Sequence, residues 1–165
     1  MASTSPSGYT RTQIRLHWIT VALVALQYIL HDTISDAWDN FLDGAEVGFH
    51  PLIAQHVLFG LLVAVLLVWR LALRVSHGAP PPPEQEHPAL KLVAKVTHWV
   101  FYALLALMPF SGAMAWFGGF EQAAVNHNIL KIALLALIAL HVAAALLHQF
   151  VLKTGVMLRM RNPVD

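Results

Sequence analysis

The chain contains no cysteine. This absence excludes disulfide bonds, thiolate metal sites and the Cys-x-x-Cys-His motif that attaches haem covalently. Charge is also scarce, because Asp, Glu, Lys and Arg together make up 12% of the residues, about half the share that is usual in soluble proteins. Hydrophobic residues make up 58%. This composition is typical of a membrane protein.

The apolar residues are concentrated in four segments with few charges. Each segment is long enough to cross a hydrocarbon core of about 30 Å at about 1.5 Å per helical residue. We therefore expect an all-α fold, namely an integral membrane four-helix bundle that forms a single membrane domain over residues 1–165. The predicted spans are approximately 12–32, 51–73, 92–116 and 128–152.

The distribution of basic residues predicts the orientation. Nine of the ten lysines and arginines fall at segment ends that would share one side, and Lys131 is the exception. Because cytoplasmic loops carry an excess of Lys and Arg, both termini should be cytoplasmic. The proline-rich loop 75–90 should lie on that side, and the acidic loop 33–50 on the outer side.

Acidic residues dominate the outer loop and its start. Four aspartates recur at spacings that place them on one face of a helix. A solvated acidic face and a docking surface for a basic redox protein explain this pattern about equally well. The residues are Asp32, Asp36, Asp39, Asp43 and, further along, Glu46.

Five of the ten histidines fall inside the apolar segments. An imidazole in a lipid-embedded helix is costly unless it finds a partner inside the protein. Several such imidazoles in a chain without cysteine indicate ligands for a haem that is bound without covalent links. The five are His17, His56, His98, His141 and His148.

The spacing of these histidines predicts two haems. His141 and His148 lie seven residues apart on one segment, so they share a helix face about 10.5 Å apart. Measured from the nearest inner basic residue, His17 and His148 lie at depths of about 9 and 7.5 Å. His56, measured from Arg70, and His141 lie at about 21 and 18 Å. We therefore predict that His17 and His148 ligate an inner haem, and that His56 and His141 ligate an outer one.

Three further residues are candidates for roles near these haems. Gly60 follows His56 by four residues, where a side chain would obstruct the porphyrin. His98 lies close to Lys95 at the inner depth, so either His98 or His17 could ligate the inner haem. The unligated imidazole could hydrogen-bond a quinone or relay a proton. We assign no ligand role to the remaining histidines: His31, His50, His77, His87 and His127.

Four short motifs occur in order along the chain and together resemble the bacterial cytochrome b561 family over essentially its whole length. They are Gln-Ile-Arg-Leu-His-Trp at 13–18, His-Val-Leu-Phe-Gly at 56–60, His98 with Tyr102, Pro109 and Gly112, and Leu-His-Val-Ala-Ala-Ala-Leu-Leu-His at 140–148. The resemblance implies a small four-helix protein of the bacterial inner membrane that binds two b haems. It implies the same two ligand pairs and electron exchange with the quinone pool, where ubiquinone is the expected quinone.

The resemblance leaves two functions open. The first is a stand-alone oxidoreductase that moves single electrons between quinone and an outer-side donor or acceptor. Superoxide oxidation occurs in this family, and Lys131 is the candidate outer-side residue for that anion. The second is a haem-bearing membrane anchor for a periplasmic redox enzyme or cytochrome, which the acidic outer loop would suit. We expect lipid and quinone as partners and no nucleic acid. Catalytic residues are not identified by the sequence.

Overall fold

The computed structural model describes residues 6–165, and within that range the protein is helical and has no strand. Five α-helices and one short 3₁₀ helix follow one another along the chain. Their bounds are α1 Arg11–Ile29, α2 Asp32–Leu42, α3 Pro51–His77, α4 Pro88–Gly118 and α5 Glu121–Phe150, followed by the 3₁₀ helix Val156–Met160.

Three helices are long and apolar enough to cross a membrane: α3, α4 and α5. Helices α1 and α2 pass the same test only as a pair, bent by 53° at the short break between them. Residues 6–165 therefore form a helical membrane protein with three such helices, or four spans if the bent pair forms one. The sidedness of the termini stays a prediction.

The starts of the helices follow from local sequence. Thr10 caps α1 in a reciprocal arrangement, because its Oγ1 accepts from the Gln13 N–H at 3.2 Å while Gln13 Oε1 accepts from the Thr10 N–H at 3.0 Å. Helix α4 begins with Pro88 at a position where a missing N–H is harmless. His87 Nδ1 accepts from the next free backbone N–H. This histidine is thus a cap, as is the His50 side chain that precedes α3.

The helices pack in the order α1 on α3, α3 on α4 and α4 on α5. The α4–α5 pair has the most extensive backbone contact, whereas neither α1 nor α3 packs closely against α5. The small core lies between α1, α3 and α4, and α5 contributes one buried residue, Leu134. The core residues are Leu16, Leu23, Val63, Leu66, Leu67, Leu105 and Leu134. Space is therefore available beside α5 on the sides that α4 does not cover.

One end of the bundle gathers the loop of residues 78–87 and the C-terminal segment. Gln13 Nε2 donates to the Gly78 carbonyl at 3.1 Å. Arg159 Nη1 donates to the Pro81 carbonyl at 2.6 Å. This loop is shorter than the predicted 75–90, because α3 continues to His77 and α4 starts at Pro88. This end carries most of the basic residues, and we call it the inner end.

The opposite end carries α2, which packs on α3. The four aspartates of the predicted acidic face are all exposed, and the buried residue of α2 is Ala37. The predicted outer loop 33–50 is therefore mostly helical in its first part. Its charged face is presented to the surroundings rather than to the bundle.

Candidate functional site

Two histidines face each other at the outer end. His56 of α3 and His127 of α5 have ring centroids 6.4 Å apart, with ring planes at 63°. Their level is the same, because His56 follows the first residue of α3 by five positions and His127 follows that of α5 by six. His127, to which the sequence pattern assigns no ligand role, is the imidazole that the structure places beside His56.

His127 is held in position by α4. Its Nδ1 lies 3.0 Å from the Met108 carbonyl oxygen and 3.1 Å from Ser111 Oγ. A carbonyl can only accept, so Nδ1 carries the proton and donates it, which leaves the Nε2 lone pair free. A Cβ on Gly112 would lie 3.1 Å from His127 Cε1, so the absence of a side chain there makes room for the ring. Metal-ligating histidines commonly donate their second N–H to a carbonyl in this way.

The His56 ring makes fewer hydrogen bonds than the His127 ring, and its support comes from its backbone carbonyl. Gln27 of α1 donates from Nε2 to the His56 carbonyl at 2.8 Å, and Gln55 donates from Nε2 to Gln27 Oε1 at 3.2 Å. His56 Nδ1 is buried and has no hydrogen-bond partner among the described residues. A Cβ on Gly60 would make only an ordinary contact, 3.6 Å from Gln27 Nε2. The proposed role of Gly60 beside a porphyrin stays a prediction.

A second group of histidines lies nearer the inner end. The His141 ring is 5.9 Å from the His98 ring and 5.3 Å from the Phe101 ring, as centroid distances. His17 lies six residues from the inner end of α1, against ten for His98 on α4 and nine for His141 on α5, so the three levels agree to within about one helical turn. His17 Nδ1 is 3.3 Å from Arg70 Nη2.

His148 is placed apart from both groups. It lies two residues from the end of α5. Its Nδ1 is 3.0 Å from Thr154 Oγ1, and its Nε2 is 3.1 Å from the Glu86 carboxylate, which is 6% exposed. Both ring nitrogens are therefore engaged. The described ring contacts join His56 to His127 and His141 to His98, and not the predicted pairs of His56 with His141 or His17 with His148.

The difference has a physical origin in Arg70. We used Arg70 as the inner boundary of its helix, but α3 continues seven residues further to His77. Arg70 is half-buried within the bundle, beside His17. His56 therefore lies 21 residues from the inner end of α3, against the 14 residues that separate it from Arg70. Counting from the outer ends of α3 and α5 would have paired His56 with His127.

The packing of the helices decides which pairs have room for a macrocycle. Packed helices lie about 8–10 Å apart, and α4 packs directly on α5. His98 and His141 therefore meet across a closed interface. The helices that carry His17 and His56 do not pack closely on α5. A macrocycle between α5 and either of these two helices fits the fold better.

The donor set also fits haem iron. With a metal–imidazole bond of about 2 Å on each side and about 1 Å from each nitrogen to its ring centre, two axial imidazoles have centroids about 6 Å apart. The 6.4 Å between His56 and His127 and the 5.9 Å between His98 and His141 both lie near this separation, so it is helix packing and not ring distance that distinguishes the two pairs. Within residues 6–165, no three His, Asp or Glu side chains converge as they would around a bare metal ion. The histidines are thus arranged as facing pairs rather than as a closed cage.

The other predicted site residues are the two lysines, Lys95 and Lys131, and His98. Lys95 is exposed, and His98 Nδ1 bonds the carbonyl of Ala94 in its own helix at 2.7 Å. Lys131 is half-buried, and its carbonyl accepts a hydrogen bond from Tyr28 Oη at 2.6 Å. Lys131 follows His127 by one turn of α5, so it lies at the level of the outer histidine pair.

The fold and the site together define a class of protein. It is a helical membrane protein in which histidines from different helices lie close together at two levels of the bundle. Residues 8–163 match the family model described as prokaryotic cytochrome b561. The chain therefore belongs to the prokaryotic cytochrome b561 family, and membership of a cytochrome b family implies haem b.

Three curated relatives cover nearly the whole chain. Cytochrome b562 of Cereibacter sphaeroides is 37% identical over 163 residues, which is 97% of this chain and 99% of that protein. The probable superoxide oxidase CybB of Yersinia pestis is 30% identical, covering 92% of this chain and 94% of that protein. Cytochrome b561 homolog 1 of Escherichia coli is 31% identical, covering 92% and 96%.

Proposed function

We propose that this membrane cytochrome binds two b haems and carries single electrons across the bacterial inner membrane between the quinone pool and a donor or acceptor on the outer side. In this proposal α1, α3, α4 and α5 are the four spans. The observation that carries it is the presence of two histidine groups at different levels, with α5 contributing a residue to each. His127 and His141 are fourteen residues apart on α5, which is about 21 Å along the helix.

We assign the outer haem to His56 and His127, and the inner haem to His17 and His141. The support for the outer pair is the ring separation of 6.4 Å and the seat that α4 provides for His127. The support for the inner pair is that both ring nitrogens of His148 are engaged elsewhere, and that α1, which carries His17, does not pack closely on α5. His17 is favoured over His98 as the inner ligand because α4, which carries His98, packs directly on α5 and leaves no room for a macrocycle between them.

Haem iron with two imidazole ligands supplies a low-spin, one-electron couple with no open position for oxygen. The protein's part is to hold the imidazoles in one orientation. Met108 fixes the protonated nitrogen of His127, and Gly112 admits its ring. Such a hydrogen bond also raises the basicity of the coordinating nitrogen, which favours the oxidised iron.

The inner end is the proposed place of quinone exchange. His98 lies beside His141, and its bond to the Ala94 carbonyl leaves Nε2 free to hydrogen-bond a quinone oxygen or to transfer a proton. Lys95 follows the Ala94 carbonyl directly and is exposed at the same end. Ubiquinone is the quinone we propose.

Two donors or acceptors compete for the outer side. The relative named a probable superoxide oxidase favours superoxide, with Lys131 as the residue that attracts it. The exposed aspartates of α2 favour a basic periplasmic redox protein and would repel superoxide at long range. We therefore place a basic protein partner first, either as a soluble cytochrome or as an enzyme for which this chain is the membrane anchor.

Electron transfer in proteoliposomes tests the function. Vesicles loaded with a reduced short-chain ubiquinol should reduce external ferricyanide faster when they contain the purified protein than when they do not, since the quinol also crosses the bilayer by itself. His127→Ala should lose this activity, whereas Lys153→Gln, an exposed change at the inner end, should keep it. Equal rates in protein-free vesicles would refute transmembrane electron transfer.

A further inference from the structure

Arg70 is a positive charge inside a membrane-spanning helix. It lies seven residues before the end of α3 and is half-buried. Within residues 6–165, no carboxylate oxygen comes within 4.0 Å of its guanidinium. A charge held away from water in a spanning helix needs an opposite charge or several acceptors to offset its desolvation. The described protein groups do not supply that opposite charge.

The neighbours of Arg70 are neutral or positive. Tyr9 lies close by, and burial raises the pKa of its phenol above the ordinary value, so it stays uncharged at pH 7. Glu86 at the same end is engaged by His148, and Asp165 accepts from the backbone N–H of Arg11. These two inner-end carboxylates are therefore occupied elsewhere.

A second arginine lies one turn away. Arg74 shares the helix face of Arg70, and its guanidinium carbon is 5.8 Å from the Trp99 ring centre and 5.6 Å from that of Tyr102. Those aromatic contacts hold the guanidinium without neutralising it. Two positive charges thus lie together beside the inner histidines.

Ligation of His17 would remove the one polar contact that Arg70 makes with the inner histidines. Arg70 Nη2 now lies 3.3 Å from His17 Nδ1. An imidazole that gives its Nε2 lone pair to iron carries its proton on Nδ1. Two donors would then face each other, so the guanidinium must turn to another acceptor.

We propose that Arg70, assisted by Arg74, binds the ionised carboxylates of the inner haem. A guanidinium presents paired N–H donors whose spacing matches the two oxygens of a carboxylate. The inference rests on the proposed function, since it requires an inner haem ligated by His17. The carboxylate could also come from a bound fatty acid, which has the same chemistry at this position.

The test is an infrared measurement on the purified holoprotein. Haem is labelled at its carboxyl carbons by feeding the producing cells 5-aminolaevulinate with ¹³C at its carboxyl position. Redox-induced difference spectra are recorded for the wild type, Arg70→Gln and Arg70→Lys. Arg15→Gln is the matched control, because Arg15 is exposed at the same end of the bundle. Haem content is measured separately for every sample.

The proposal predicts that a label-sensitive carboxylate band changes in Arg70→Gln and stays unchanged in Arg15→Gln. Loss of the positive charge should also make the inner haem at least tenfold harder to reduce, about 59 mV for a one-electron couple. Arg70→Lys keeps the charge, so it should retain the inner haem even if Arg70→Gln does not, with a smaller potential change and a changed band.

Two results overturn the proposal while leaving the two-haem function intact. One is a label-sensitive band that is identical in the wild type and both Arg70 variants. The other is a change confined to bands that the label does not shift, which would indicate a fatty acid or protein carboxylate. A wild type with fewer than two haems instead refutes the proposed function, and the haem count reports this independently of the infrared bands.

Discussion

The rings of His56 and His127 lie 6.4 Å apart at the outer end of the bundle, on helices that are not packed against each other. This separation would suit two imidazoles that hold one haem iron, and it is maintained by contacts outside the pair. Gln27 bonds the His56 carbonyl, and Met108 bonds His127 Nδ1. The outer site is thus supported by α1 and α4 as well as by the helices that carry the histidines.

The close approach of Gly112 to His127 predicts a local defect in Gly112→Ala. The added Cβ would lie 3.1 Å from His127 Cε1, so the ring must turn or shift. We expect the outer haem to lose occupancy or to change its low-spin electron paramagnetic resonance signal, while the inner haem is unaffected. Gly48→Ala is the control, because a Cβ at Gly48 meets nothing within 4 Å. If the spectra of Gly112→Ala and Gly48→Ala are identical, the proposed contact between Gly112 and the His127 ring is contradicted.

The pair formed by His148 and Glu86 predicts a structural role at the inner end. Glu86→Gln removes the negative charge of a nearly buried group that bonds His148 Nε2. Hydrogen bonds to charged groups contribute about 1.5–3 kcal/mol, so we expect a stability loss of that order with both haems retained. Thermal unfolding and proteolysis of the loop at 78–87 measure it. Glu84→Gln, in the same loop but exposed, should change neither.

The exposed aspartates of α2 predict a salt-dependent reaction with cationic redox proteins. Reversing two charges, Asp36→Lys with Asp39→Lys, should slow electron transfer to a basic soluble cytochrome at least tenfold at low ionic strength, because the attraction becomes repulsion. The effect should fade as salt screens the charges. Stopped-flow reduction rates at several salt concentrations measure it.

A control for this experiment lies at the other end of the bundle. Glu84→Lys also makes the protein more positive, but at the inner end, so it should leave the rate unchanged. Faster superoxide-driven reduction of the haems in the double aspartate variant would instead favour superoxide as the outer substrate. If the electron-transfer rate is the same in the double aspartate variant and in the wild type, α2 is not the docking surface.

The helical fold and the family were predictable from sequence, because long apolar runs and short histidine motifs are local signals. The aspartate face of α2 was predictable for the same reason, since spacing alone sets which residues share a helix face. The family resemblance was confirmed by the match over residues 8–163. The contacts of the histidine side chains depend on which distant segments of the chain pack together. Local sequence patterns do not show this.

The candidate ligands show this limit most clearly. The sequence pattern predicts His127 at or near the outer surface, because this residue precedes the fourth apolar run. Helix α5 begins earlier than that run, at Glu121, so His127 is half-buried and seated on α4. A basic residue normally marks a membrane boundary, so the sequence pattern predicts Arg70 at the inner end of its span. Here it lies inside the bundle beside His17.

The most direct test of the central claim is the number of haems that two alanine variants retain. Pyridine haemochrome and redox spectra should be recorded on the detergent-purified wild type, His127→Ala and His148→Ala. The two histidines are on the same helix, so a general effect of removing an imidazole from α5 would appear in both. We predict two b haems per chain in the wild type and in His148→Ala, and one low-spin haem in His127→Ala. Loss of a haem in His148→Ala, with two haems retained in His127→Ala, would contradict the account.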